Sequence, residues 1–298
     1  MAAFGRISWT LEMNRILSAL SAAVLTSFML AGASPAAAQA WLSIPANPKV
    51  DIAYVPPASQ RLEGVYQALK GRQILEELQH FLAPLHLPHR LLLQTRECSQ
   101  VNAFYSPFDR SLTICYELVG ELIRDAPQTV SEDGFITHEA AIVGTLVGVV
   151  LHEGGHMMFD MLDVPVFGRE EDAADETASF LALQFNKDVE RTIIKGFVYF
   201  WAKSQDPSAS SPMRVWSDEH GTPSQRMYNT LCLAYGGDPQ GFKEFVDRGW
   251  LPPKRAEHCG AEFAQLKLAF IKTILPFIDR DLMVQVQKTQ WLTPEELK

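Results

Sequence analysis

The sequence predicts a predominantly helical α+β domain with a small sheet packed beside one long central helix. Three observations predict it. Apolar residues recur at helical spacing along most of the chain. Strand-like runs separated by turn residues are confined to about residues 90–116. The apolar run Ala140 to Leu151 continues without a break into His152-Glu153-Gly154-Gly155-His156. At 298 residues and 47% hydrophobic, the chain is long enough for a substantial core.

Taken in order, Arg6 and Arg15 precede an apolar run from Ile16 to Ala33. Small residues at Ala36-Ala37-Ala38 and Ala38-Gln39-Ala40 then offer cleavage sites. Residues 1–40 therefore read as a signal peptide, with Met13 an alternative start. An exported protein, periplasmic or secreted and without a stable membrane anchor after cleavage, is expected. Trp41 to Ser59 is Pro-rich and is expected to be an extended lead-in. Gln60 to Leu82 has helical periodicity, ended by Pro84 and Pro88. Arg90 to Gln94 is a candidate strand. Val101 to Tyr105 and Ser111 to Tyr116, around Ser106-Pro107-Phe108-Asp109, predict a hairpin.

Glu117 to Arg124 begins a helix, and His138 to Met161 is the long central one, with His138 read as a helix-start residue. Its apolar part is too short to cross a bilayer and fits a buried core helix. Pro165 separates it from a helix at about Arg169 to Phe185. A packing helix follows at Asp188 to Lys203, then a Ser- and Pro-rich loop from Gln205 to Pro212. Short helices are expected at Gln225 to Tyr235 and Pro239 to Asp247, an apolar terminal helix at Ala261 to Ile278, and a loose polar tail at 281–298. No repeat or clean linker interrupts 60–280, so one domain is expected.

Net charge is −9. Arg6, Glu12 and Arg15 give the first 40 residues +1, so the remainder carries −10. That balance argues against nucleic acid or an anionic membrane surface as a partner. Cys98, Cys115, Cys232 and Cys259 form an even set in a chain read as exported, which favours two disulfides. Sequence proximity favours Cys98–Cys115 and Cys232–Cys259. None has C-x-x-C spacing, so a cysteine metal site is not expected.

Residues four apart share a helix face, so His152 and His156 can both reach one metal ion. Glu153 is placed to act on a water held there, the arrangement of zinc-dependent peptide hydrolysis. Gly154 and Gly155 each cost about 1 kcal/mol relative to alanine inside a helix. Gly144 and Gly148 continue a stripe of small residues, and close approach of backbone or ligand is expected along it. A catalytic zinc needs a third ligand. Gly168 to Glu176 supplies E-x-x-A-D at Glu171 and Asp175, one turn apart. Glu171 is the expected third ligand. Asp175 is expected to accept the free N–H of a ligand histidine.

The two motifs together resemble the gluzincin metallopeptidases, of which thermolysin is the familiar member. The segment from Asn102 to Tyr105 resembles the N-A-F hairpin of the CAAX-endopeptidase and minigluzincin branch, whose edge strand lines the substrate cleft. The chain is also similar to a bacterial family of exported metallopeptidases of unknown function. That similarity rests on Asn102 to Tyr105, Cys115 to Glu117, His152 to His156, Gly168 to Asp175 and His220 to Arg226, and it spans about residues 60–260. It implies a gluzincin-like zincin fold and a Zn2+ cofactor. Asn102, Ala103, Phe104 and Tyr105 would line the substrate site.

The expected activity is hydrolysis of peptide or protein substrates, with Glu153 as general base. His220 is the candidate for stabilising the oxyanion, with Tyr105, Tyr116 and Arg226 as rivals. Arg226 is equally readable as a structural partner of the acidic helix. The alternative is an exported zinc-binding module without turnover, which leaves Glu153 unexplained.

Overall fold

The computed structural model describes residues 40–204 and 217–292. The expected signal peptide (all but Ala40), the loop from Gln205 and residues 293–298 lie outside the described residues.

The sheet has four strands: β1 (Val50–Tyr54), β2 (Leu91–Arg96), β3 (Ala103–Ser106) and β4 (Ser111–Cys115), in the order β1-β2-β4-β3. β1, β2 and β4 run parallel, and β3 pairs antiparallel with β4. β2 buries Leu91, Leu93 and Thr95 on one face, the alternation a half-covered strand requires. β4 is interior and buried at every residue. The expected hairpin is therefore present, and its first strand is an outer one.

β1 corrects the expected lead-in. Its five residues are bracketed by Pro48 and Pro56, and their alternation is too short to stand out. Pairing with β2, far along the chain, makes them a strand. The helix expected over 60–82 is also divided, into α1 (Glu63–Arg72) and α2 (Ile74–Phe81). Gln73 between them is left-handed, with φ 59°. The Tyr54 hydroxyl accepts from Leu75 N–H and donates to Glu76, which fixes the start of α2 against β1.

α3 (Tyr116–Asp125) leads to the central α4 (His138–Met161), which starts at His138 as expected and is capped by the Thr137 side chain. α4 is long and apolar enough to cross a membrane by length and composition, but most of it is buried inside the protein. It packs on α5 (Glu170–Ala182) and α6 (Lys187–Lys203). The expected close approach is real at three of the four glycines. A Cβ on Gly144 would lie 2.0 Å from the Thr192 carbonyl oxygen, one on Gly148 2.9 Å from the Phe197 ring, and one on Gly155 3.1 Å from Ala174. Gly154 is the exception: its Cβ would meet no atom within 4 Å.

α7 (Pro223–Gly237) opens on a capping box of Thr222 and Gln225, with Pro223 in the first turn. It is longer than expected, and α8 (Lys243–Asp247) is shorter. α9 (Pro253–Thr273) starts eight residues before the expected helix and ends five before it. It buries only Cys259 and Phe270 and leaves Leu268 and Ile271 exposed, so it is a covering helix rather than a core one. The expected loose tail is corrected as well. It holds α10 (Arg280–Lys288), capped by Asp279, and the buried Trp291, whose indole N–H donates to the Val286 carbonyl. The cysteines pair as Cys98–Cys115 and Cys232–Cys259. The first pins the approach to β3 onto the end of β4, and the second ties α7 to α9.

Candidate metal centre

α4 and α5 bring the motif residues together. His152 and His156 project from one face of α4, with their Nε2 atoms 3.2 Å apart. Glu171, in the first turn of α5, places its carboxylate oxygens 3.2 Å from His152 Nε2 and 3.5 Å from His156 Nε2. The ring nitrogens facing away are held by other carboxylates. His152 Nδ1 is 2.9 Å from Asp175, and His156 Nδ1 is 2.8 Å from Glu170. These partners assign the Nδ1 protons and leave both Nε2 lone pairs converging with Glu171. The ligand atoms of His152, His156 and Glu171 lie within 4.8 Å of one another. Glu171 Oε2 is buried and faces only imidazole nitrogens, His152 Nε2 at 3.2 Å and His220 Nε2 at 3.0 Å. Two imidazoles and a carboxylate aimed at one point fit a divalent cation.

The electrostatics agree. Burial acts to lower the His152 pKa, but Asp175 and Glu171 outweigh it and raise the ring to about 9. Burial also opposes the ionised Glu171 carboxyl, yet His152 and His156 hold it well below the usual carboxylate range. The carboxylates thus demand positive charge at this point.

Asp175 is buried. The guanidinium of Arg226 grips it with two bonds, Nε at 2.5 Å and Nη2 at 2.7 Å. Arg226 in turn lies over the Trp201 ring, 3.6 Å from its centroid. A stacked, bidentate guanidinium fixes the carboxylate that orients His152. Arg226 thus partners the acidic helix, as one of its two expected roles had it.

Glu153 is buried on the flank of the histidines, and burial raises its pKa. Its Oε2 accepts the Tyr105 backbone N–H at 2.8 Å. Asn102 accepts from Cys115 N–H through its carbonyl, so the ladder alternation turns the backbone groups of Ala103 and Tyr105 away from β4. β3 is therefore the outer strand nearest the motif helix. It is only partly exposed: Asn102 is open, Phe104 and Tyr105 are half-buried, and Ala103 is buried.

Among the other candidates, His220 is near the centre, with Nε2 3.0 Å from Glu171 and Nδ1 3.0 Å from Asp218. Tyr105 directs its hydroxyl to Asp160 at 2.6 Å. Tyr116 is fully buried and bonded to Val55 and Thr95, so its hydroxyl has a structural partner set. Sequence reasoning missed Glu170 as the partner of His156, and Trp201 altogether. Neither has a spacing signal, because both reach the site only through packing.

No curated protein and no solved structure matches the chain. A family model described as "Putative metallopeptidase" matches residues 54–273, from β1 to the last residue of α9. With that match over most of its length, the chain belongs to the DUF4344 family that this model describes.

Proposed function

We propose that this chain is an exported zinc-dependent peptidase of gluzincin-like fold. The observation that carries the reading is the convergence of His152, His156 and Glu171 beside a buried Glu153 tied to an outer strand. His152, His156 and Glu171 would hold the ion. Zinc would supply Lewis acidity there, polarising a carbonyl and lowering the pKa of water to about 7.

The chain's own groups do the rest. Glu153, raised by burial, takes a proton from the attacking water and returns it to the leaving amine. Its bond from Tyr105 N–H fixes one carboxylate oxygen and leaves the other for the water. His220 Nε2, which rests 3.0 Å from Glu171, would exchange that contact for the oxygen on which negative charge develops. Asp218 at its other ring nitrogen orients it. An extended peptide adds to the outward backbone N–H and carbonyl of Ala103 as an antiparallel strand, flanked by Asn102 and Phe104, while the Tyr105 N–H stays on Glu153. Two disulfides support the exported setting.

The test is metal analysis of purified protein paired with a peptide-library digest, with and without chelator. About one zinc per chain and chelator-sensitive cleavage are expected. Bound zinc with no cleavage of any library peptide would leave a binding module instead.

A further inference from the structure

The face of α4 opposite the histidines borders a second feature. At about 100° per residue, Val150, Gly154 and Met157 lie across the helix from His152 and His156. They wall an apolar cavity of about 250 Å³, bounded by the sheet, α2, α5, α9 and α10 and open to the surface beside Ile271. The cavity is separate from the metal centre, because α4 stands between them. Gly154 is what keeps it open next to the motif: a side chain there would project into free space. Helix packing does not require that glycine, in contrast to Gly144 and Gly155.

Among the described residues lining the cavity, Lys267 is the single charged one. It is exposed, and no described residue pairs with it. The amides of Gln184 and Gln287, 3.4 Å apart, are the remaining polar side chains of the lining. Ile271 is exposed and extends the apolar lining to the surface. Water in such a cavity would lack the roughly two to four polar partners it needs. An apolar cavity of about 150 Å³ already takes benzene, so this one has room for a longer apolar group. Apolar walls with few convergent polar groups are the composition of a ligand pocket. One cation at the rim selects an anionic head.

We propose that this cavity binds a free single-chain amphiphile with a carboxylate head, its alkyl chain against the back of α4 and its head at Lys267. The inference is independent of the peptidase reading.

The test is saturable binding of a fluorescent long-chain fatty acid to the full purified chain, displaced by dodecanoate or by uncharged dodecanol. Wild-type protein is expected to bind both. Ile271→Trp, which narrows the opening, is expected to weaken both at least tenfold. Lys267→Glu is a surface change, expected to weaken dodecanoate about tenfold (about 1.4 kcal/mol) and dodecanol less than about threefold. Matching thermal melts establish that both variants fold. Absence of saturable binding would overturn the proposal, whether the cavity is filled by the chain's own terminal residues or by nothing. Equal losses for acid and alcohol in Lys267→Glu would also overturn it. So would binding to anionic phosphatidylglycerol vesicles without binding of the monomeric acid.

Discussion

The Nε2 atoms of His152 and His156 face each other at 3.2 Å, while a separate carboxylate occupies each ring's other nitrogen. Neither ring can relieve the approach by changing tautomer without giving up a bond to Asp175 or Glu170. A shared cation satisfies both. On the proposed ligand set, Glu171→Ala removes one of three donors and should strip most zinc at neutral pH. Glu170→Ala should weaken zinc about 10- to 100-fold, as for loss of a ligand's supporting partner. Zinc titration against a competing chelator measures both. Full retention by Glu171→Ala would exclude it as a ligand.

Glu153→Gln keeps an acceptor for Tyr105 N–H but cannot take a proton. Peptide cleavage is expected to fall at least about 10²- to 10⁴-fold, with zinc content and melting temperature close to wild type. Steady-state kinetics beside metal analysis checks it. Near-normal turnover would rule out the general-base role.

Arg226→Met leaves the buried Asp175 without its guanidinium. Breaking a buried pair on one side costs about 3–5 kcal/mol, and Arg226→Lys should recover only part because lysine cannot form the two-bond fork. Urea unfolding gives the stability, and zinc affinity should fall in parallel because His152 loses its fixed orientation. A melt and a zinc affinity unchanged in Arg226→Met would show that the pair neither stabilises the fold nor orients the ligand.

Glu190 is fully buried. Burial raises its carboxyl to about 7 despite the opposing pull of Lys187. Between about pH 4.5 and 7 the folded chain keeps a proton that the unfolded chain releases. The stability this group contributes is therefore present below that window and lost as pH rises through about 7. Glu190→Gln should flatten the decline and melt higher than wild type at pH 8. Thermal melts at pH 5 and 8 decide it, and parallel pH profiles in the two proteins would refute it.

Ala103→Pro removes an N–H that points away from β4, so the ladder within the sheet keeps its bonds. Folded, zinc-loaded protein with a several-fold higher KM is expected. An insoluble product would mean that the Ala103 N–H serves the fold. Unchanged cleavage would mean that substrate docks elsewhere.

The sequence by itself determined what repeats at short range. Four-residue spacing put His152 with His156, and Glu171 with Asp175, because one turn of helix stacks such residues whatever surrounds them. The hairpin at residues 101–116 and both cysteine pairs were readable for the same reason, being close in the chain. Tertiary structure alone decided the partners. Asp175 meets Arg226 from 51 residues away, and Trp201 and Glu170 reach the centre by helix packing that no spacing encodes. β1 needed β2 to become a strand, since five residues between prolines have no stability of their own. Gly154 and Gly155 look alike in sequence, yet one abuts Ala174 and the other opens on a cavity. A glycine records only that a side chain is missing, and what stands in its place is fixed by the neighbours the fold brings.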